Sequence, residues 1–356
     1  MIVYWFLLFI VILLSVLERK KCLTVGSIAE LPVRWVFLFF FMTLVIGFRF
    51  EVGGDWGAYL RYFERMEGLS LSQALLLKDP GYQIINFVAY NLGGGIFLVN
   101  AICGALFCFG LMSFCTSQPR PMLALVTAIP YMVIVLGMGY TRQGCALGFG
   151  MIALNSLVHK STFRFSMWII VAALFHKSAV LMMPVAALLS SRSKMVSFAW
   201  IAIAILLAYF TVLEDSIDGF YTNYVEAEYQ SQGAFVRVLM CFFPALIFIC
   251  FRGAFDMKKR SKELWTWYSI YSFLMLVALF VTTASTAIDR VALYLLPIQL
   301  VVFSHLPEVL GSSNGNNTKW VIIICLYYIL VQFIWLFFSA NSSAWVPYQF
   351  APFLLL

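Results

Sequence analysis

Charged residues are rare in this chain, and a few stand at the ends of apolar runs. Arg49, Arg142 and Arg290 are three of them, and the pair His176-Lys177 occupies the same kind of position. Guanidinium groups suit bidentate binding of phosphate. Three arginines and a lysine at one boundary imply an anion, and a lipid diphosphate is the economical choice. The alternative is structural pairing, for example Arg290 with Asp55 or Asp79. Asp55, Asp79 and Asp289 are too dispersed to argue a metal site, and no HExxH, Walker A loop or zinc-ligand spacing occurs. No metal and no cofactor is expected. Catalysis at such a site rests on positioning, a general base and cationic stabilisation of a leaving diphosphate. His176 fits either of two roles, since an unperturbed imidazole titrates near about 6.5. It can donate to the diphosphate or polarise an acceptor hydroxyl.

The elements that position these residues follow from composition. The chain has 356 residues, of which 63% are hydrophobic and 11% charged. A soluble fold could not hide that apolar surface. Runs approaching the roughly 20 residues needed to cross a bilayer recur, and the period-two pattern of a barrel is absent. The expectation is an all-α polytopic membrane protein forming a single membrane-embedded domain over 1–356. About twelve transmembrane or re-entrant helices are predicted, over 2–17, 33–48, 93–115, 122–139, 144–158, 165–175, 178–189, 196–213, 234–251, 264–283, 291–304 and 320–338. The apolar start lacks a basic leader and a cleavage site, so it is read as a retained span. The eight cysteines form no CxxC pair and read as small buried apolar side chains.

The loops between these spans alternate in charge. One side carries 15 of the 23 basic residues and 5 of the 16 acidic ones, and the other 8 and 11; 15 − 5 = +10 and 8 − 11 = −3 sum to the net +7. Lys/Arg excess marks the cytoplasm, which places both termini outside. The stretch 165–189 tests this. Read as one helix it buries His176 and Lys177 at mid-bilayer, at a cost of about 3 kcal/mol or more. Read as two short helices it keeps its basic ends cytoplasmic and brings His176-Lys177 to the outer side. The second reading is preferred.

The outer loops are then about 49–81, 139–144, 214–233 and 284–290, with His176-Lys177 between the short helices. In the first, Gly53-Gly54 supplies a turn, and 56–70 is spaced as an amphipathic interfacial helix that either anchors to lipid or contributes to a site. In the second, Arg142 is either a snorkelling cation at a helix end or a ligand. Gly144 and Gly148 are spaced for helix packing. The third mixes tyrosines and carboxylates, as sugar binding or an ordinary solvated loop would. The fourth brings Asp289-Arg290, with Tyr294 one turn further on.

Together these segments resemble the EpsG/Wzy-like family of bacterial polysaccharide polymerases. The residues that carry the resemblance are Phe48-Arg49, Gly53-Gly54-Asp55-Trp56 and Tyr59; Pro80-Gly81-Tyr82; Gly139-Tyr140-Thr141-Arg142-Gln143; His176-Lys177-Ser178-Ala179; Asp289-Arg290 with Tyr294; and Val346-Pro347-Tyr348. The resemblance implies a metal-independent, inverting glycosyltransferase of the GT-C type in the bacterial inner membrane, with its active site facing the periplasm. Its substrates would be undecaprenyl-diphosphate-linked oligosaccharides. Its partners would be membrane lipids and a chain-length regulator, with no nucleic acid. On that mapping Arg142 and Arg290, with Arg49 or Lys177, hold the diphosphate. Asp55 is the first choice of base and Asp79 the second, and His176 acts at the diphosphate or the acceptor. Tyr59, Tyr82, Tyr140, Gln143, Asp289 and Tyr294 contribute to substrate binding. An O-antigen ligase using the same donor, a lipid-linked oligosaccharide flippase and a membrane acyltransferase are the competing readings.

Overall fold

The computed structural model describes residues 1–18, 32–190, 233–281, 285–312 and 317–354. The predicted span 196–213, nearly all of loop 214–233 and the cations Arg19, Lys20, Lys21, Arg192 and Lys194 lie outside these residues.

The described chain is all-α apart from two two-residue strands. In order it forms α1 (Ile2–Leu17), α2 (Val33–Gly47), β1 (Arg49–Phe50), α3 (Trp56–Glu64), α4 (Leu71–Leu75), α5 (Pro80–Asn91), α6 (Gly95–Thr116) and α7 (Pro121–Ala128). Then come α8 (Thr141–Val158), α9 (Thr162–Phe175) and α10 (Met183–Ser190). After the gap follow α11 (Ala234–Cys250), α12 (Lys259–Val281), α13 (Ser285–Ala292), α14 (Pro297–Leu310), α15 (Thr318–Phe338), β2 (Gln349–Phe350) and α16 (Ala351–Leu354). Four stretches are long and apolar enough to cross a membrane: Gly95–Thr116, Lys259–Val281, Ile288–Leu310 and Thr318–Phe338. Shorter apolar helices such as Ile2–Leu17 and Val33–Gly47 surround them. Helices dominate because an apolar solvent leaves backbone groups no partner but each other. Proline opens three of them, at Pro80, Pro121 and Pro297, where its missing N–H costs nothing.

Two local features shape the region that carries the candidate site. Pro130 cannot donate to an α-helical ladder, and α7 continues over Ile129–Gly137 as a wider π-helix. The Ile134 carbonyl there accepts from Trp345 Nε1 at 2.9 Å. The second feature is His176, whose extended backbone ends α9 and starts a 3-10 turn over Lys177–Met182. Met182 lies against Gly150 in the middle of α8, close to Phe149, which Trp168 and Phe175 also flank. The chain has therefore turned back at His176, as the charge argument requires.

The two ends of the bundle differ. At one, Glu18 accepts from the Met122 backbone N–H at 2.8 Å and pairs with Arg34, while Arg120 pairs with Glu308 at 2.8 Å. At the other lie the residues singled out by sequence. The first and last described segments meet there: Tyr4 donates to the Trp345 carbonyl at 2.7 Å, and Arg49 and Phe50 pair antiparallel with Phe350 and Gln349.

Glycine sets the approach of α6 to α8. A Cβ on Gly110 would collide with the backbone of Gly148, and one on Gly148 would stand 3.0 Å from Phe107 Cα. Gly110→Ala should destabilise the bundle by about 1–3 kcal/mol. Thermal unfolding in detergent should show a lowered midpoint, while Gly54→Ala, which meets open space, leaves it unchanged. Equal midpoints for both would contradict the close packing.

Candidate active site

Arg49 is fully buried, and its guanidinium is occupied by the protein itself. Nε donates to the Val52 carbonyl at 3.2 Å and Nη1 to the Ile46 carbonyl at 2.5 Å. Nη2 donates to Asn100 Oδ1 at 3.1 Å and to Thr141 Oγ1 at 2.9 Å. The group therefore ties the end of α2, the 49–52 turn, α6 and the start of α8 together. Gly53 completes the turn at φ +104°, where a Cβ would strike the Met138 carbonyl.

Arg142 follows Thr141 in the first turn of α8, where free backbone N–H groups add positive potential. Its Nη1 pairs with Asp79 Oδ2 at 2.6 Å, and the Tyr62 ring lies 4.9 Å from its guanidinium carbon. Tyr82 packs edge-on and Tyr59 tilted beside Tyr62. Asp79 adopts a left-handed conformation before Pro80, which aims its carboxylate away from α5 and at Arg142. Burial raises the Asp79 carboxyl above its ordinary range, opposed by the charges of Arg142, Lys78 and Lys177. Among the described residues, Arg142 Nε and Gln143 Nε2 are buried with no hydrogen-bond partner.

Asp55 is half-buried at the start of α3. Burial raises its carboxyl too, against the charges of Arg142 and Arg290. Both arginines thus lie within electrostatic reach of it, although they come from helices 148 positions apart in number (290 − 142). Asp289 has its ion-pair partner on another helix. It is paired with Arg237 of α11, which also bonds the Tyr140 and Tyr131 hydroxyls. Tyr294 is buried, and its hydroxyl lies 3.1 Å from Ser178 Oγ, which lies 2.5 Å from His176 Nδ1.

The structure therefore brings Asp55, Asp79, Arg142, Lys177 and Arg290 to one neighbourhood. Of the carboxylates offered as structural partners, Asp79 is paired with Arg142. The profile of the EpsG family matches residues 33–350. The chain belongs to the EpsG family. No curated protein matches it, and neither does any solved structure.

Sequence reasoning passed over three residues of this EpsG-family site. Arg237 was absorbed into an apolar run, although an isolated cation inside a span is itself a signal. Tyr62 was lost among exposed-looking aromatics. Ser178 was noted beside His176 but given no role.

Arg49 and Arg142 should respond differently to substitution. Lysine at 49 cannot reach four acceptors, and each buried acceptor left alone costs about 1–3 kcal/mol. Arg49→Lys should lower the unfolding midpoint of the purified protein well below that of Arg142→Lys. Equal midpoints would show that Arg49 is not a structural tie.

Proposed function

We propose that this EpsG-family protein is a polysaccharide polymerase. It transfers a glycan from one undecaprenyl-diphosphate carrier to the non-reducing end of the sugar on another, with inversion at the anomeric carbon. The observation that carries the reading is the placing of Asp55 beside Arg142 and Arg290, within a chain that the family profile covers almost entirely.

On this reading the cationic face is the outer one, both termini lie on it, and the chain crosses or re-enters the inner membrane about twelve times. Arg142 and Arg290, with Lys177, hold the donor diphosphate. The unpartnered Arg142 Nε and Gln143 Nε2 supply further donors to it. Asp55 takes the proton of the acceptor hydroxyl as its oxygen attacks the anomeric carbon, and the C–O electron pair leaves with the diphosphate. Burial makes Asp55 a stronger base than an exposed carboxylate. Tyr62, partly exposed beside Arg142, offers a ring face and hydroxyl for sugar. Tyr59 and Tyr82, placed by sequence in the binding set, are buried and back it from within the core, and Arg49 holds the scaffold.

Purified protein in lipid vesicles, given its host's lipid-linked repeat unit in the presence of EDTA, should produce a ladder of longer glycans on a gel. Arg290→Gln and Arg142→Lys should abolish the ladder while remaining monodisperse. Asp55→Asn should slow it by about 10²–10⁴-fold. In the wild type the rate should fall with pH as Asp55 is protonated, at a pH above the ordinary carboxylate value. Full ladders from both arginine variants would sink the diphosphate assignment.

A further inference from the structure

The contacts around His176 decide between the two roles its chemistry allows. The Ser178 backbone N–H donates to His176 Nδ1 at 3.3 Å. A backbone N–H can only donate, so Nδ1 is an acceptor and carries no proton. Ser178 Oγ, 2.5 Å from the same nitrogen, must then donate its own hydrogen to it. Having used that hydrogen, Ser178 Oγ accepts at its remaining lone pairs, and Tyr294 Oη, 3.1 Å away, is the donor. The direction of the chain is fixed: Tyr294 hydroxyl to Ser178 hydroxyl to Nδ1. The proton of the neutral imidazole stands on Nε2. A cationic ring would turn Nδ1–H against the Ser178 N–H.

Local structure makes this arrangement rigid. His176 is the residue at which α9 stops, and its side chain caps the 3-10 turn that follows. Ser178 and Tyr294 are both buried. The pair is set into the site: Asp79, the partner of Arg142, interacts electrostatically with both Lys177 and Tyr294.

We infer that His176 serves as a fixed Nε2–H donor to the diphosphate and not as the general base, with Ser178 and Tyr294 as positioning residues that hold its tautomer. The inference rests on the polymerase reading for the identity of the anion. No proton is transferred in this role. Nε2–H hydrogen-bonds to a diphosphate oxygen as negative charge builds there, and the ring is neutral before and after. Acceptor deprotonation then falls to a carboxylate, in keeping with Asp55.

The test is 15N-histidine NMR of the full-length protein in lipid nanodiscs. Three histidines contribute, and His176→Gln identifies the signal. The expected result at neutral pH is an unprotonated Nδ1 and a protonated Nε2. A short-chain polyprenyl diphosphate should then move the Nε2 signal and leave Nδ1 unprotonated. The doubly substituted Ser178→Ala, Tyr294→Phe protein, which keeps only the residue-178 backbone N–H on Nδ1, should show more of the Nδ1–H tautomer than the wild type. In the vesicle assay Ser178→Ala should lower kcat by about tenfold, less than the roughly 10²–10³-fold cost of removing such a hydrogen-bond donor outright, with KM little changed, and Ser178→Thr should restore it. A protonated Nδ1 in the wild type, or an Nε2 signal indifferent to saturating polyprenyl diphosphate, would overturn the inference. The tautomer and the lipid response are read without turnover, so an inactive preparation with both intact would count against the polymerase reading alone.

Discussion

The geometry of the cationic face depends on one buried guanidinium. Arg49 has no contact with solvent, and its donors reach two carbonyls, an amide oxygen and a hydroxyl. A charge in that position is tolerable only because its hydrogen bonds are made. The consequence is positional. Thr141 is held by Arg49, and Arg142 is the next residue, so the first turn of α8 is fixed relative to α2 and α6. The strand pair of residues 49–50 with 349–350 extends the same tie to the end of the described chain. Trp345 fills the space above Gly139 and reaches the carbonyl that the π-helix offers. A site assembled from helices distant in sequence needs such cross-ties, because lipid gives helices little hydrophobic reason to associate.

Much of this was legible before any coordinates. Most predicted spans within the described residues coincide with apolar helices, because a long apolar run has few other outcomes in a bilayer; the predicted span 178–189 is instead a 3-10 turn followed by the eight-residue α10. The turn at His176 was legible from the cost of burying Lys177. Helix α5 was not. Gln83, Asn86 and Asn91 interrupt its apolar pattern, and its buried face is set by α6 and α9 and not by lipid. The strand pair carries no periodicity in two residues and depends on a contact across three hundred positions. Sequence grouped Arg49 with the ligand-binding arginines by type and placement. Only the position of Asn100 and Thr141 shows that its donors are taken.

Asp79 and Asp289 illustrate a compromise. Each neutralises an arginine in the resting protein, Arg142 and Arg237 respectively. Such pairs hold the cationic face together, and on the proposed function an arriving diphosphate must compete with Asp79 for Arg142. Burial eases that competition by weakening the carboxylate's hold on its charge. On the proposed function Asp55, within electrostatic reach of Arg142 and Arg290, is the carboxylate assigned to proton transfer. His176, fixed in tautomer from behind, adds a neutral donor to a site where a further cation would have to be balanced.

The most direct measurement is a structure of the protein in nanodiscs with a bound polyprenyl diphosphate. The account predicts the diphosphate against Arg142 and Arg290, with His176 Nε2 on one of its oxygens and Arg49 out of contact beneath. A diphosphate bound at the opposite end of the bundle, beside Arg120, or lodged against Arg49 in place of Asn100 and Thr141, would contradict it.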